Sequence, residues 1–239
     1  MPHPLITYLQ RRDSLSDEEK SVLERMTHRQ ETIAVRTPIV RQGSRPTQSC
    51  VLLQGIAFRE HLLRSGKRMI SAVHIAGDFL DLNGMLLAKM DHGVRAASNC
   101  IVAWIPHGEI IRLSETHPHL GRLLWMTTVT DAALTRAAVS VVGRLPPPAK
   151  LAHMACELYL RMSEVGLAKN WSFDLAITQL DLADMFGLST VHLNRSMQTL
   201  RATNAISWDG SRVVIHDWRK LTDIGEFDPT YLNLEPKPR

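Results

Sequence analysis

A helical pattern of hydrophobic residues fills positions 178–200. Leu182, Ala183 and Phe186 lie on one face of the helix that this spacing predicts. A threonine at the start of the stretch, followed three residues later by an aspartate, predicts a capped helix beginning. Gly187 then supplies the conformation that ends a helix and turns the chain. The pattern therefore predicts a short helix followed by a tight turn.

A second helix is predicted directly after this turn. Ser189 or Thr190 can cap it, and its inward face falls on Leu193, Met197 and Leu200, which are four and three residues apart. Two short helices joined by a glycine turn, with a small alanine where they cross, are typical of a helix-turn-helix.

The outward face of the second predicted helix carries side chains that hydrogen-bond base edges and phosphates. A guanidinium such as that of Arg195 matches the paired acceptors of guanine. We expect DNA contacts from this face and from the starts of both helices, at Thr178, Gln179, Ser189, Thr190, Val191, His192, Asn194, Arg195 and Gln198. The alternative is an ordinary helical hairpin in an all-α core, whose polar residues are only solvated.

A β-hairpin is predicted after the second helix. Two β-rich runs flank Asp209-Gly210, a dipeptide that favours tight hairpin turns. A hairpin at this position is the wing of a winged helix-turn-helix, and Ser211 or Arg212 at its tip is a candidate phosphate contact.

Residues 31–106 consist instead of short β-rich runs separated by glycines, and helices are predicted before them in residues 5–30. The glycines recur 11 or 12 residues apart, at Gly43, Gly55, Gly66 and Gly77. Turns at this interval are typical of an antiparallel sandwich or barrel, which predicts a β-roll of the jelly-roll kind. Its interior either holds a small ligand or is filled with side chains.

Pro118 predicts the first turn of a long helix that runs to about Leu145. Eight positions along it alternate four and three apart, and six are apolar: Leu120, Leu124, Thr127, Asp131, Leu134, Ala138, Val141 and Leu145. This is the seam of a two-stranded coiled coil, with packing against the β-roll of the same chain as the alternative, and a helix of this length can do both. The aspartate on the seam either fixes the register or indicates that the true seam lies on a rotated face. Three prolines at 146–148 then interrupt the helix and mark a domain boundary.

The composition is that of a soluble folded protein, with 44% apolar and 22% charged residues. No run of 18 apolar residues predicts a transmembrane helix, and the first residues lack the pattern of a secretory signal. Cys50, Cys100 and Cys156 are odd in number and far apart, which argues for a reducing compartment and against a metal-ligand spacing. We therefore expect a cytoplasmic protein without membrane contact and without a metal site.

The net charge of +4 favours a nucleic-acid partner only weakly. Residues 144–239 hold 11 basic and 11 acidic residues, so the predicted DNA-binding part is neutral. Affinity for DNA must then come from local placement of charge and from doubling of the contacts in a dimer.

The order of these elements resembles the Crp/Fnr family of bacterial transcription regulators. The most specific parts are Gly77-Asp78-Phe79 and the stretch LADMFGLSTVHLNRSMQTLR, and the resemblance covers nearly the whole chain. It implies an α+β fold with four parts: helices and an antiparallel, cyclic-nucleotide-binding-like β-roll in 1–116, a dimerisation helix in 117–145, a winged helix-turn-helix in 146–225 and a tail in 226–239. It also implies a homodimer on a two-fold operator in double-stranded DNA, a signal sensed by the β-roll, and contact with RNA polymerase.

The resemblance assigns roles within the recognition helix. Ser189 and Thr190 open it and meet phosphate, and Arg195 matches the arginine that reads guanine. Val191 stands where many relatives carry a glutamate that accepts a hydrogen bond from cytosine. Because a valine contacts a thymine methyl group instead, we do not expect the half-site that those relatives share. The polar side chains at 192 and 194 add base readout of their own.

Cyclic-nucleotide-binding members carry a glutamate shortly after the Gly-Asp-Phe segment and an Arg-Ser pair later. Here Asp81 lies near the glutamate position, and His92-Gly93 stands where the Arg-Ser pair belongs, with Arg95 as a less favoured candidate for a displaced substitute. Without the usual guanidinium a cyclic phosphate loses its bidentate partner, so cAMP is not the expected effector. Asp81, His92 and Arg95 are the candidate effector-binding residues.

Other members of the family sense through iron or through redox chemistry. Iron–sulfur members use clustered amino-terminal cysteines, and this chain has none before Cys50. A haem would take its ligand from His61, His74, His92 or His107, although a lone histidine is more often a surface or core residue. A redox role for Cys50 or Cys100 is a further hypothesis, although cysteines usually only pack. The sequence leaves the cofactor unknown and the effector, a small molecule or a redox signal, unassigned.

Two other classes of function compete with the regulator. A cupin-type enzyme needs several histidines at inward strand positions, and His61 and His74 fall on neighbouring predicted strands without a His-x-His pattern. A regulatory module that binds a partner protein through the long helix needs no DNA contact. We favour the DNA-binding regulator and predict no enzymatic activity.

Overall fold

The computed structural model describes residues 3–238. The chain forms two compact units: the first runs to Ala132 and includes the chain from Leu234 onward, and the second is Ala133–Asn233. The division between them falls inside the long helix, whereas the sequence predicts boundaries at 117, 146 and 226. Those boundaries stay predictions.

The first unit begins with helices α1 (Pro4–Gln10) and α2 (Asp17–Met26). Ser16 caps α2 in a complete capping box, because its side chain accepts from the Glu19 amide while the Glu19 side chain accepts from the Ser16 amide. The apolar faces of both helices join one core cluster of the first unit.

Seven antiparallel strands follow, in the stretch where glycine spacing predicts a β-roll. They are β1 (Gln30–Ile33), β2 (Pro38–Val40), β3 (Gln48–Gln54), β4 (Ala57–Leu62), β5 (Arg68–His74), β6 (Gly93–Ala96) and β7 (Cys100–Pro106). The strand orders β1-β7-β3 and β2-β6-β4-β5 define two sheets, and the predicted β-roll is confirmed. An apolar cluster draws buried residues from both sheets, including Leu52, Val102, Ala57 and Val94.

Helix α3 (His107–Thr116) and the long helix α4 (Pro118–Arg144) come next. Leu120 and Leu124 are buried in the core of the first unit, at 1% and 6% exposure. The predicted coiled-coil seam is therefore wrong at these two positions, and the alternative of packing within the same chain holds there. Helical spacing alone cannot separate the two, since both need an apolar residue every third or fourth position.

A different row of α4 side chains is exposed. Trp125, Val129, Ala132 and Val139 are spaced four, three and seven residues apart, and Trp125 and Val139 are each 70% exposed. We call these four residues the exposed stripe. Asp131 lies beside it, and both of its carboxylate oxygens accept hydrogen bonds from Arg59 at 2.8 and 2.9 Å.

The second unit contains the elements predicted from the prolines onward. They are α5 (Pro147–Glu164), β8 (Ala168–Lys169), β9 (Ser172–Asp174), α6 (Gln179–Phe186), α7 (Thr190–Arg201), β10 (Ile206–Asp209), β11 (Arg212–Ile215) and α8 (Trp218–Ile224). Prolines occupy the first positions of α5, where a missing amide hydrogen costs nothing. The predicted hairpin is confirmed as β10–β11, and it extends into a sheet of order β10-β11-β9-β8.

Aromatic side chains close the core of the second unit beside α5. Tyr159, Trp171 and Trp218 have ring centroids 5.1 to 5.7 Å apart, and Phe227 lies edge-on to Trp218 at 6.2 Å. Tyr231 donates a hydrogen bond to a carboxylate of α5 from a 3-10 helix at Pro229–Leu232. The first part of the predicted tail, residues 226–233, thus belongs to the second unit.

Across residues 3–238, every helix is too short or too polar to cross a membrane.

Candidate functional site

Helix α6 and its turn form as predicted. The Thr178 hydroxyl accepts from the Asp181 amide at 3.2 Å, and the Asp181 carboxylate accepts in return from the Thr178 amide. Gly187 ends the helix with φ 64° and ψ 34°, a left-handed conformation in which a side chain would be strained. The turn therefore depends on a glycine at this position.

Helix α7 is capped by Ser189, whose hydroxyl accepts from the His192 amide at 3.2 Å. Leu193, Met197 and Leu200 are buried, at 0%, 5% and 1% exposure, and α7 packs against α5. The inward face predicted from the sequence is therefore confirmed.

The remaining face of α7 points to solvent. Every residue predicted to form its outward row is exposed: Thr190, Val191, His192, Asn194, Arg195 and Gln198. Thr178 and Gln179 are also exposed at the start of α6. The row contains a guanidinium, an imidazole and two amides, which together can donate to and accept from base edges. A single helix with such a face fits the major groove of B-DNA, which is about 12 Å wide.

Two of the predicted contact residues already have partners inside the protein. The hydroxyls of Thr178 and Ser189 serve as helix caps, so their side chains have less freedom to meet phosphate. On the wing, the Arg212 guanidinium donates to the Asp174 carboxylate at 3.1 Å and to the Ser172 hydroxyl at 2.7 Å. Arg212 is therefore held along the sheet, and Ser211 is exposed next to it.

A substitution at Ser189 can separate its role as the cap of α7 from its predicted contact with a DNA phosphate. We expect Ser189→Asp to keep the stability of the wild type, because aspartate is also a good cap and suits the positive end of a helix. Binding to any DNA duplex should fall by about 10-fold, since the new carboxylate repels a nearby phosphate. Thermal unfolding and gel-shift titrations measure the two effects. Unchanged DNA affinity would place Ser189 away from the phosphate backbone.

In the first unit, Asp81 is buried at 1% exposure. Its Oδ1 accepts from the Cys50 amide at 2.8 Å, whereas its Oδ2 is buried without a hydrogen-bond partner. Burial raises the pKa of this carboxyl to about 6, although the hydrogen bond from Cys50 acts in the opposite direction. The side chain thus sits in the core against β3.

Because the folded-state pKa of Asp81 lies above its ordinary value of 3.8, its neutral form suits the fold better than its ionised form. That stabilising effect is complete at low pH and is lost as pH rises through about 6. We expect Asp81→Asn to raise the free energy of unfolding by on the order of 2 kcal/mol at about pH 7.5, with a smaller gain near about pH 5. Denaturant titrations at both pH values check this, and equal gains would contradict it.

The other two candidate effector residues lie on the sheet that contains β4 and β6. Arg95 donates from Nε and Nη2 to Glu60, with distances of 2.8 Å, and from Nη1 to the Arg36 carbonyl. His92 is buried at 2% exposure, and its Nδ1 contacts the Asp91 carboxylate at 2.7 Å. Arg95 and Asp81 thus belong to separate hydrogen-bonded groups, because Asp81 contacts β3 of the other sheet.

The remaining candidate ligands are dispersed. His74 contacts Asp78 at 3.6 Å, His107 contacts the Ser49 hydroxyl at 3.1 Å, and the His61 ring lies 6.0 Å from that of His92. Cys50 and Cys100 are buried, and burial raises the pKa of both thiols. Within residues 3–238, no three His, Cys, Asp or Glu side chains are grouped so that they could hold one metal ion.

Sequence reasoning missed Arg59. It lies on β4 at 8% exposure, at a position where strand alternation predicts a hydrophobic residue. The only signal in the sequence is a charged residue that directly follows the apolar run of residues 56–58, and it does not reveal which acidic group is the partner.

Two family models match the chain. Residues 30–117 match the model of the cyclic nucleotide-binding domain, and residues 149–224 match that of the Crp-like helix-turn-helix domain. The first region contains the β-roll and the second contains α5 to α8.

Curated relatives match most of the chain at low identity. The transcriptional activator protein FnrL of Cereibacter sphaeroides is 22% identical over 86% of this chain and 84% of its own length. Electron transport regulator A of Shewanella oneidensis is 20% identical over 87% of this chain and 83% of its own.

Solved structures share the fold. FixK2 from Bradyrhizobium japonicum aligns with a TM-score of 0.73 at 18% identity, over 82% of this chain and 96% of that one. A CooA mutant from Carboxydothermus hydrogenoformans aligns with a TM-score of 0.69 at 13% identity, over 94% and 97%.

Proposed function

The chain belongs to the Crp/Fnr family of transcription regulators, and on this basis we propose that it is a sequence-specific DNA-binding regulator that acts as a homodimer on a two-fold operator. The observation that carries the proposal is the exposed polar row of α7, which a glycine turn and a buried inward face hold in place. In a helix-turn-helix the amino-terminal part of the second helix, here α7, contacts base edges in the major groove.

The charges of the second unit support a DNA contact made by a few side chains rather than by a broad basic surface. Its basic and acidic residues balance, so a general electrostatic attraction to DNA is weak. Arg195 and His192 lie on the exposed row itself, where they meet guanine edges or phosphates directly. Specificity then rests on a few side chains, and two copies of α7 are needed for high affinity.

The exposed stripe of α4 supports the homodimer. Trp125 and Val139 are large apolar side chains with most of their surface in water. Burial of such a side chain contributes about 1.5–3 kcal/mol, and a two-fold contact buries each one twice. We therefore place the dimer contact on the exposed stripe rather than on the seam that includes Leu120 and Leu124.

The β-roll is the sensing part in this proposal, and its signal is not cAMP. Arg95, the candidate for a displaced phosphate-binding arginine, already binds Glu60 and the Arg36 carbonyl. A cyclic phosphate would have to displace Glu60 from its charge-assisted hydrogen bonds. Contact with RNA polymerase and a cytoplasmic location are part of the same proposal, and they rest on family membership.

Selection of bound duplexes from random-sequence DNA tests the proposal. The whole protein should enrich one two-fold symmetric sequence whose half-sites are centred about 34 Å apart, one helical turn. Val139→Glu should weaken both self-association, measured by sedimentation equilibrium, and operator binding by about 10-fold or more. Arg64→Gln on the exposed β4–β5 loop is the charge-matched control, because it also makes the net charge more negative by one.

Enrichment of no sequence, or of one asymmetric half-site bound by a monomer, would overturn the homodimeric regulator. A stable dimer without DNA affinity would instead favour the protein-interaction module.

A further inference from the structure

Arg59 is a buried cation on the inward face of the β-roll. The register pairs it with Val94, a residue of the apolar cluster between the sheets, so both side chains lie on the same side of the sheet. Its side chain is nine-tenths buried. A charge in such a place is costly unless an opposite charge and hydrogen bonds compensate it.

Asp131 of helix α4 supplies that compensation. Nη2 of Arg59 donates to both carboxylate oxygens, at 2.8 and 2.9 Å, while Nε is buried without a hydrogen-bond partner. The Asp131 side chain is 36% exposed, so it reaches the guanidinium from the surface of the unit. The pairing with Asp131 therefore leaves the Nε–H group of Arg59 without a hydrogen-bond acceptor.

His92 is a second residue on this face of the sheet with a buried nitrogen that has no hydrogen-bond partner. The β4–β6 register, continued by two residues beyond Arg59 and Val94, sets His61 opposite His92, and the two rings are 6.0 Å apart. Nε2 of His92 is buried without a hydrogen-bond partner, whereas Nδ1 contacts Asp91. Desolvation first, and then the charge of Arg59, lower the pKa of His92.

We propose that Arg59 and His92 form a binding site for a small anion, a carboxylate or a phosphate, which replaces Asp131 as the partner of the guanidinium. The planar guanidinium suits both kinds of anion, because each offers two oxygens in the plane of its N–H groups. In the structure Asp131 occupies the place of that anion. The proposal deepens the sensing role of the β-roll and rests on the proposed function for its effect on DNA binding.

The bound anion also gives His92 a partner. Since Nδ1–H already donates to Asp91, a proton taken up at Nε2 can donate to the anion. The charged and titratable groups around this ring are Asp91, His61 and Arg59, and the positive charge of Arg59 disfavours the proton until the anion arrives. Binding should therefore be accompanied by uptake of a proton.

The exchange also links the site to the dimer. Asp131 follows Val129 by two residues and precedes Ala132 on α4, so it lies beside the exposed stripe. Release from Arg59 changes the charge and the side-chain freedom at that border. Anion binding and dimer formation are then coupled through one carboxylate.

Isothermal titration calorimetry without DNA tests the site. Inorganic phosphate and succinate are titrated separately at constant ionic strength, into the whole protein and its variants. Arg59→Gln should lose affinity by about 10-fold or more, because the bidentate partner is gone. Asp131→Asn should gain about 10-fold, because the internal competitor is gone. Arg64→Gln, which removes an exposed arginine of the neighbouring loop, should leave affinity unchanged.

Comparison of the two titrants decides between a phosphate and a carboxylate as the bound group. Repetition in buffers of different ionisation enthalpy measures the proton uptake, which His92→Ala should abolish. Thermal unfolding establishes that each variant is folded, and Asp131→Asn provides a gain that a damaged fold cannot produce.

Absence of saturable binding of both anions to the wild type and to Asp131→Asn would overturn the proposal. Equal or weaker binding by Asp131→Asn, or an equal loss in Arg64→Gln and Arg59→Gln, would also overturn it. Because these titrations contain no DNA, such results leave the operator experiments standing, and failure of operator selection leaves the anion site standing.

Discussion

Replacement of Arg195 with alanine is expected to weaken binding to the selected operator by about 1–3 kcal/mol for each half-site. The guanidinium lies on the exposed face of α7, one turn beyond Val191 and next to Asn194, where a helix in the major groove meets base edges. A homodimer carries the substitution twice, so the loss should approach twice the single value.

The positions in the operator at which Arg195→Ala loses base preference are as informative as the total loss of affinity. Arg195→Ala should tolerate any base at one symmetric pair of positions and keep the preference elsewhere, which fluorescence anisotropy on single-position operator variants can measure. The matched control is Arg219→Ala, which removes an exposed arginine from α8. An equal loss on all sequences, with the salt slope reduced by about one per site, would make Arg195 a phosphate contact.

Gly225→Ala is expected to destabilise the second unit by about 3 kcal/mol or more. A Cβ at this position would lie 2.6 Å from the His153 amide nitrogen, 2.9 Å from its Cα and 3.1 Å from the Ala152 carbonyl carbon. These are backbone atoms in the middle of α5, so no side chain can rotate away, and overpacking of this kind costs about 1–3 kcal/mol or more. The hydrogen bond between His153 Nδ1 and the Gly225 carbonyl, at 2.9 Å, would also be strained.

Differential scanning calorimetry can locate this effect in one unit. The transition of the second unit should move to lower temperature, and operator binding should fall with it, while anion binding by the first unit persists. Gly108→Ala is the control, because no atom lies within 4 Å of its added Cβ and alanine suits a helix. Equal loss of stability in both variants would show that the close approach at Gly225 is not the cause.

Local chemistry made the helix-turn-helix predictable. Thr178, Asp181 and Gly187 carry capping and turn signals that need only neighbouring residues, and the structure forms each of them. The exposed and buried faces of α7 follow from helical spacing in the same way. The glycine interval likewise predicted the β-roll, although it gave neither strand order nor register.

The features that sequence reasoning missed depend on contacts between distant parts of the chain. Heptad spacing on α4 is the same whether Leu120 packs within its own unit or against a second copy, and only the folded core distinguishes them. Arg59 and Asp131 are 72 residues apart, and their pairing requires the register of β4 and the placement of α4. Strands β8 and β9 have two and three residues, too few for a periodic signal.

The aromatic side chains beside α5 have an optical consequence. Trp171 and Trp218 lie 5.6 Å apart with Tyr159 against both, so their transitions couple in an asymmetric environment. Trp104 and Trp125 belong to the first unit and take part in none of these close ring contacts. Near-ultraviolet circular dichroism should therefore be dominated by the second unit, which gives a label-free signal for its unfolding in the intact chain.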